Sequence, residues 1–374
     1  MQSKSQIMTG KQEQRQSNIE LLRMIAMLLI VAHHFASHSG FDYPLEQISV
    51  NRLWVQFAVV GGKIGVNVFV LITGYFLVSQ QTMKTSRLMK LWGQIFFYSV
   101  IFFLIFILFG KEPFGMIKLI WALAPVTFSR WWFASTYFVL YLLFPYINRL
   151  LVSFDKKQYM RFLTLLVLLW SVIPTLTGEY FQCNSLLWFM TLYAIAGYIR
   201  IFGCKIDLTG GKWIGLSLAC FLLTFLSTVI LDVLGTKIPF FGVRATFFYD
   251  PMQKLPALVI AVLMLLGFTK IKAGYSKWIN TMASATFGVY LIHENEYVRQ
   301  FLWKTLFPSA AYAESHLLIP YSVMAIVTVF VGCTIIELMR KYLIEIRMVS
   351  FIDRISLFID HKINSLMSDE RLPQ

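Results

Sequence analysis

Long apolar runs alternate with short polar segments along almost the whole chain. A helix needs about 20 mostly apolar residues to cross a bilayer, and ten stretches meet or approach that length. The predicted spans are 21–38, 60–79, 89–109, 131–148, 161–177, 185–203, 213–234, 255–272, 279–296 and 317–339. The pattern predicts an all-α, polytopic membrane protein with about ten transmembrane helices.

Composition supports this prediction and excludes other classes. Hydrophobic residues make up 57% and charged residues 14% of the 374-residue chain, whereas soluble proteins carry about 25% charged residues. The net charge of +14 comes without a Lys/Arg cluster, so we expect no nucleic-acid partner. The first apolar run follows a polar tail and lacks a small-x-small site, which excludes a cleavable signal peptide. The four cysteines have no CxxC spacing, which excludes a disulfide framework or a thiolate metal site.

The distribution of basic residues predicts the orientation. With a cytosolic N-terminus, 22 of the 33 lysines and arginines fall in inner segments, as the positive-inside rule requires. We therefore expect a multi-pass protein of the cell membrane with both termini in the cytosol. The predicted parts are a disordered cytosolic tail (1–20), a ten-helix domain (21–345) and a cytosolic amphipathic helix (346–374) lying on the inner surface.

The stretch "LLRMIAMLLIVAHHFASH" places ionisable groups inside the first span. Arg23 and His34 are eleven residues apart, or three helical turns plus about 20°, so they share one face about 16 Å apart. Intramembrane ionisable residues are costly and usually functional, and the pair suggests anion capture below and chemistry above. The structural alternatives are an arginine that snorkels and a histidine bonded between helices. His34 and His38, at i and i+4, also leave a zinc site open.

Four further features carry candidate residues. Gly61, Gly65 and Gly74 allow close packing of the second helix, and the buried Asn67 needs a polar partner. Arg87 and Lys90 share a helix face, although positive-inside bias alone explains them. Trp131 and Trp132 suit either a sugar-binding platform or an interfacial aromatic belt. His293 and Glu294 end the ninth span, where the carboxylate would support the histidine unless this is simply a solvated helix end.

Taken in order, these stretches resemble the bacterial ten-helix membrane acyltransferase family 3, which O-acetylates cell-surface polysaccharides. The resemblance rests on Arg23 and His34 with ten residues between them, on "GVNVFVLITGYF", on Arg87-Leu-Met-Lys90 where the family has Arg-x-x-Arg, on "WWFASTYFVLYLLFPYI" and on "FGVYLIH". It covers about residues 18–340. Two departures matter. Lys90 replaces the second arginine, which removes a bidentate fork, and Asn67 replaces a common aspartate. The chain resembles the stand-alone form of the family.

The resemblance implies an O-acyltransferase that moves an acyl group, expected to be acetyl, from cytosolic acetyl-CoA to a glycan hydroxyl outside the cell or to its lipid-linked precursor. Arg23, Arg87 and Lys90 would then hold the phosphates of CoA, and His34 would be the general base, with His293 and Glu294 assisting it. Trp131, Trp132 and Asn67 are the acceptor-binding candidates. We expect no metal.

Two other classes stay open at this stage, namely a transporter or flippase for a lipid-linked sugar and a polysaccharide ligase or polymerase. Transporters often show two related halves, and no internal repeat is evident. The expected partners are a carbohydrate acceptor and membrane lipids. The sequence leaves open the acceptor, the hydroxyl that is acylated and the oligomeric state, a homodimer included.

Overall fold

The computed structural model describes residues 16–272 and 274–369, with side chains described as far as His361. The predicted disordered tail (1–20) therefore lies mostly outside the described residues. The described residues contain helices and no β-strand, which confirms the all-α class.

The helices follow one another closely along the chain. The first eight are α1 (Ser17–His38), α2 (Val50–Leu77), α3 (Thr85–Leu108), α4 (Met116–Leu123), α5 (Trp132–Ser153), α6 (Lys156–Val167), α7 (Ile173–Thr177) and α8 (Ser185–Phe202). The second eight are α9 (Gly210–Gly235), α10 (Pro239–Gly242), α11 (Leu255–Lys270), α12 (Lys277–Ala283), α13 (Thr286–His293), α14 (Glu296–Gln300), α15 (Leu318–Arg340) and α16 (Ile346–Asp369).

Eight helices in the described part of the chain are long and apolar enough to cross a membrane. They correspond to the first seven predicted spans and the tenth. The eighth predicted span is α11, a shorter apolar helix of 16 residues, and the ninth is divided into α12 and α13. The fifth span comprises α6, the π-helical residues Leu168–Val172 and α7 in one continuous run. A polytopic helical membrane protein is confirmed, with the eighth span short and the ninth divided.

Glycines let α2 pack closely against two neighbours, as the sequence predicted. A Cβ on Gly65 would lie 2.6 Å from the Ala26 carbonyl oxygen of α1, and one on Gly61 would lie 2.9 Å from Leu29. A Cβ on Gly74 would lie 2.7 Å from the Tyr193 carbonyl oxygen of α8. Because side chains cannot enter these gaps, α2 holds α1 and α8 at close backbone distance.

The break in the ninth span falls at Ser284 and Ala285, between α12 and α13. The Ser284 hydroxyl donates to the Thr281 carbonyl oxygen at 2.7 Å and accepts from Lys341 Nζ at 2.8 Å. Serine side chains that bond to nearby backbone compete with the helical hydrogen-bond ladder. The break makes α13 a separate eight-residue helix whose last residue is His293.

Two helices begin earlier than hydropathy predicted because polar residues cap them. Ser49 accepts a hydrogen bond from the Arg52 amide, so α2 begins ten residues before the predicted span. Asp155 and Gln158 form a capping box, so α6 begins at Lys156 instead of 161. Caps satisfy the free amides of the first helical turn, and at α6 the cap extends the helix through the polar residues Lys156, Lys157 and Gln158.

The tail helix α16 continues from α15 through the π-helical turn Lys341–Glu345. It packs against the beginning of α3, where Thr85 donates to Asp360 and Lys90 Nζ lies 3.8 Å from Asp353. A helix therefore occupies the segment predicted to be one, and its position on a membrane surface stays a prediction. We call this end of the bundle the tail end, and the opposite end, where α1 finishes at His38, the histidine end.

Candidate functional site

His34 of α1 meets the last residue of α13 at the histidine end. Its Nδ1 lies 2.9 Å from His293 Nε2 and 3.3 Å from Glu294 Oε2. His293 is fully buried, and Glu294 is the residue that caps α13. The structure thus brings together the three predicted catalytic residues, which come from opposite ends of the chain.

The hydrogen bonds assign the tautomers of the two histidines. His293 Nδ1 lies 2.6 Å from the Val289 carbonyl oxygen, which only accepts hydrogen bonds, so Nδ1 carries the proton. In a neutral imidazole the other nitrogen is then an acceptor. His34 Nδ1–H therefore donates to His293 Nε2, which leaves the His34 Nε2 lone pair free. A free lone pair on a fixed imidazole is what a general base requires.

Two further residues complete this cluster around Glu294. Arg299 donates to Glu294 Oε1 at 2.9 Å, and His38 Nε2 lies 3.2 Å from Oε2. In the sequence, His38 was a candidate only as a zinc ligand, and Arg299 was not a candidate. The one sequence signal for Arg299 is that it lies five residues after Glu294. Arg299 holds the carboxylate in place, since charge-assisted hydrogen bonds are strong.

His34 lines a cavity of about 240 Å³ between α1, α2, α5 and α13. Its apolar part, toward the tail end, includes Met27, Ile30, Phe69 and Phe287. Its polar part holds His33, Lys63, Ser185, Asp250 and Gln253, and Trp132 and Tyr180 are the exposed aromatic residues in its wall. The histidine therefore faces a space that is apolar on one side and polar on the other.

His33 also belongs to the cavity wall, although helical spacing turns it about 80° away from Arg23 and predicts a lesser role for it. Its Nδ1 lies 2.8 Å from the Val59 carbonyl oxygen of α2. A Cβ on Gly62 would lie 2.2 Å from the His33 ring, so the ring occupies the place a side chain of α2 would take. Angular spacing on α1 missed this contact because the cavity extends across to α2.

The structure separates the two predicted tryptophans. Trp132 is 42% exposed and lines the cavity, as a platform for an acceptor would. Trp131 is 2% exposed and packs instead beside a small space bounded by Arg130 and Tyr297. Trp132 therefore stays a candidate for acceptor binding. Trp131 is buried outside this cavity, so it has no accessible face for an acceptor there.

Asn67 lies behind the cavity wall. It is fully buried, its amide nitrogen donates to the Met252 carbonyl oxygen at 2.9 Å, and its oxygen accepts from Trp188 Nε1 at 2.9 Å. Both ends of the amide are therefore engaged within the protein. A contact between Asn67 and an acceptor stays a prediction. In the structure Asn67 holds the Met252 backbone and Trp188 in place behind the cavity.

The three predicted phosphate-binding cations lie toward the tail end, each with a different neighbour. Arg23 donates to Glu20 at 3.0 Å and is 27% exposed, Arg87 donates to Gln80 at 3.4 Å, and Lys90 faces Asp353. Arg87 is exposed, and Lys90 is one-third exposed. These contacts leave guanidinium and ammonium groups accessible, and a common anion-binding role stays a prediction.

The ligand atoms of His34, His293 and Glu294 lie within 4.8 Å of one another, a spacing that could hold a metal ion. Two nitrogens bound to a tetrahedral zinc at 2.0–2.1 Å would be about 3.3 Å apart. The observed 2.9 Å between His34 Nδ1 and His293 Nε2 matches a direct hydrogen bond better. Glu294 thus adds a possible carboxylate ligand to the zinc alternative. The distance between the two histidine nitrogens, however, fits a hydrogen bond better than two ligands of one zinc ion.

A helical membrane bundle that presents a histidine pair with a carboxylate to a cavity is suited to membrane-embedded transfer chemistry. The family model of the acyltransferase domain (acyltransferase family 3) matches residues 16–338. The chain belongs to this family and is a membrane acyltransferase. No curated protein and no solved structure matches the chain.

Proposed function

We propose that the protein is an O-acyltransferase that moves an acyl group, expected to be acetyl, from cytosolic acyl-CoA to a hydroxyl of a cell-surface glycan or its lipid-linked precursor. The observation that carries this proposal is that His34 lines the cavity while His293 and Glu294 engage its Nδ1, which leaves Nε2 as the nitrogen for the acceptor. The proposal places the protein in the bacterial cell membrane with the histidine end outside.

The reaction can be written on these residues. His34 Nε2 takes the proton of the acceptor hydroxyl as the oxygen forms a bond to the thioester carbonyl carbon. The carbon–sulfur bond then breaks, and the leaving thiolate takes the proton back from His34. While His34 is cationic, Glu294 at 3.3 Å from Nδ1 stabilises the charge. The products are an ester and free CoA.

Donor entry from the tail end fits the distribution of groups along α1. Arg23 lies eleven residues before His34, about 16 Å along the helix axis, and Arg87 and Lys90 begin α3 at the same end. Phosphates of CoA would bind these cations, and its pantetheine arm would reach the apolar part of the cavity. The acceptor would enter at the histidine end beside Trp132.

The test is acetyl transfer to a glycan acceptor in membranes, measured with His34→Ala at matched protein level. We expect a loss of about 10²- to 10⁴-fold, the usual contribution of general-base catalysis, with CoA binding retained. His34→Gln should not restore transfer because an amide cannot take the proton. His316→Ala, an exposed histidine in the loop before α15, is the control and should have no effect.

Three outcomes would contradict the proposal. Near-normal transfer by His34→Ala would remove the general base, and failure of the wild-type protein to bind CoA would favour a lipid-linked sugar transporter. Loss of transfer in chelator, recovered by added zinc and shared by His38→Ala, would favour a metal centre over the hydrogen-bonded pair.

A further inference from the structure

The polar side of the cavity holds charged and polar side chains that are not part of the histidine cluster. Lys63 Nζ of α2 lies 3.1 Å from Asp250 Oδ1, and both side chains are partly exposed. Gln253 lines the same cavity and is 3% exposed. The three residues, which we call the polar wall, present one cationic donor, one carboxylate and one amide to the space that His34 faces.

Gln253 is the unusual member of the polar wall. Its amide oxygen is buried and has no hydrogen-bond partner among the described residues; Cys183 lies beside the Gln253 amide and accepts from its nitrogen. Buried polar groups without partners are rare and costly. Because Gln253 also lines the cavity, a small rotation of its amide would let this oxygen accept a hydrogen bond from a molecule inside it.

The backbone around Asp250 and Gln253 is fixed from outside the cavity. The Met252 carbonyl oxygen accepts from Asn67, and the Gln253 carbonyl oxygen accepts from Ser171 at 2.7 Å. Both donor residues are fully buried. The segment is thus preorganised, which lowers the entropy cost of binding, and this gives Asn67 a positioning role at the acceptor side.

We propose that Lys63, Asp250 and Gln253 bind the hydroxyl groups of one uncharged sugar ring of the acceptor, with a ring face against Trp132. This inference rests on the proposed function. One donor beside two acceptors matches neighbouring hydroxyls, each of which can donate and accept. The cavity has a volume of about 240 Å³ and is lined by both the polar wall and Trp132.

The charges select against acidic sugars. Lys63 and Asp250 neutralise each other at 3.1 Å, so no net positive charge is available for a sugar carboxylate. Such a carboxylate would also face the oxygens of Asp250 and Gln253, and like-charge contact in a confined site is unfavourable. The polar wall therefore favours a neutral hexose or deoxyhexose over a hexuronate.

The experiment uses the full chain in proteoliposomes with labelled acetyl-CoA and a panel of p-nitrophenyl glycosides, three neutral and one glucuronide. The wild-type protein should prefer the neutral glycosides. Asp250→Asn should raise their KM about tenfold to a hundredfold, the effect of losing a hydrogen bond to a charged group, while the KM for acetyl-CoA stays unchanged. Gln253→Leu should raise the same KM by a smaller factor.

A gain of function separates recognition from damage to the fold. Asp250→Asn leaves Lys63 without its carboxylate, so the rate with the glucuronide should rise relative to the neutral glycosides. Lys63→Met should instead lower the rate with the glucuronide, relative to the neutral glycosides, below that of the wild-type protein. Asp207→Asn, whose carboxylate is 97% exposed near Lys270 at the tail end, is the matched control and should leave both KM values unchanged.

The outcomes distinguish this inference from the proposed function. If the wild-type protein transfers acetyl groups but Asp250→Asn changes neither the sugar KM nor the glucuronide preference, the polar wall holds only water and the inference is wrong. If no glycoside is acetylated, thermal unfolding decides. Asp250-dependent stabilisation by a neutral methyl glycoside supports the sugar site, its absence overturns it, and the response to CoA separately tests the proposed function.

Discussion

At the scale of single residues, the site depends on which nitrogen of each histidine carries the proton. The Val289 carbonyl oxygen fixes the proton of His293 on Nδ1. His293 Nε2 therefore accepts from His34 Nδ1–H, and the lone pair of His34 is on Nε2. The helical spacing of Arg23 and His34 predicted that His34 was functional. It could not predict Arg299 or the place of His33, because those contacts depend on how α14 and α2 meet the end of α1.

Glu294 offers a test of this assignment. Glu294→Gln keeps the shape of the side chain but removes the charge near His34 Nδ1 and His38, so the cationic His34 loses stabilisation. We expect kcat for acetyl transfer to fall about 10- to 100-fold, as for loss of a hydrogen bond to a charged group. The KM for acetyl-CoA should not change, because Glu294 lies at the opposite end of the bundle from Arg87.

The control is Glu296→Gln, two residues along, whose carboxylate pairs with Arg130 instead. Glu294→Asp should recover part of the rate because it restores the charge at a shorter reach. A Glu294→Gln variant with normal kcat would show that the carboxylate only secures Arg299.

At the scale of helices, hydropathy located the spans well and their ends poorly. It missed the first ten residues of α2, where Asn51, Arg52 and Gln56 interrupt the apolar run and Ser49 caps the helix. It also read 279–296 as one helix, although Ser284 bonds back to Thr281 and receives Lys341 from α15. A hydropathy window measures only apolar content, so it detects neither the local bond to Thr281 nor the tertiary bond from Lys341. The break matters because it sets where α13 delivers His293.

The packing of α1 on α2 gives a prediction at this scale. Gly65→Ala would place a methyl group 2.6 Å from the Ala26 carbonyl oxygen, and backbone cannot move aside as a flexible side chain can. Overpacking of this kind costs about 1–3 kcal/mol. We expect a lower midpoint of thermal unfolding in detergent and reduced transfer, because α1 carries His34.

Gly93→Ala is the matched control, since a Cβ there would meet nothing within 4 Å in α3. Alanine favours a helix over glycine by up to about 1 kcal/mol, so this variant should be as stable as the wild-type protein or slightly more stable. Equal midpoints for the two variants would mean that the helices can separate without cost.

At the scale of the whole molecule, the two ends of the bundle carry different chemistry. The histidine end holds the cavity, the polar wall and the histidine cluster, whereas Arg23, Arg87 and Lys90 lie toward the tail end with α16. A transferase built this way would take its donor from one side of the membrane and its acceptor from the other. That arrangement requires a single orientation, which the lysine and arginine distribution predicts.

Cysteine labelling in intact cells tests this orientation. Native Cys204 is exposed in the segment after α8, at the tail end, so an impermeant thiol reagent should label it only after the cells are opened. In a Cys204→Ala background, Glu46→Cys and Val243→Cys, both exposed at the histidine end, should be labelled in intact cells. Asp207→Cys in the same background should repeat the behaviour of Cys204. The reverse pattern would place the histidine cluster on the cytosolic side, and cytosolic acyl-CoA would then have to enter at the same end as the acceptor.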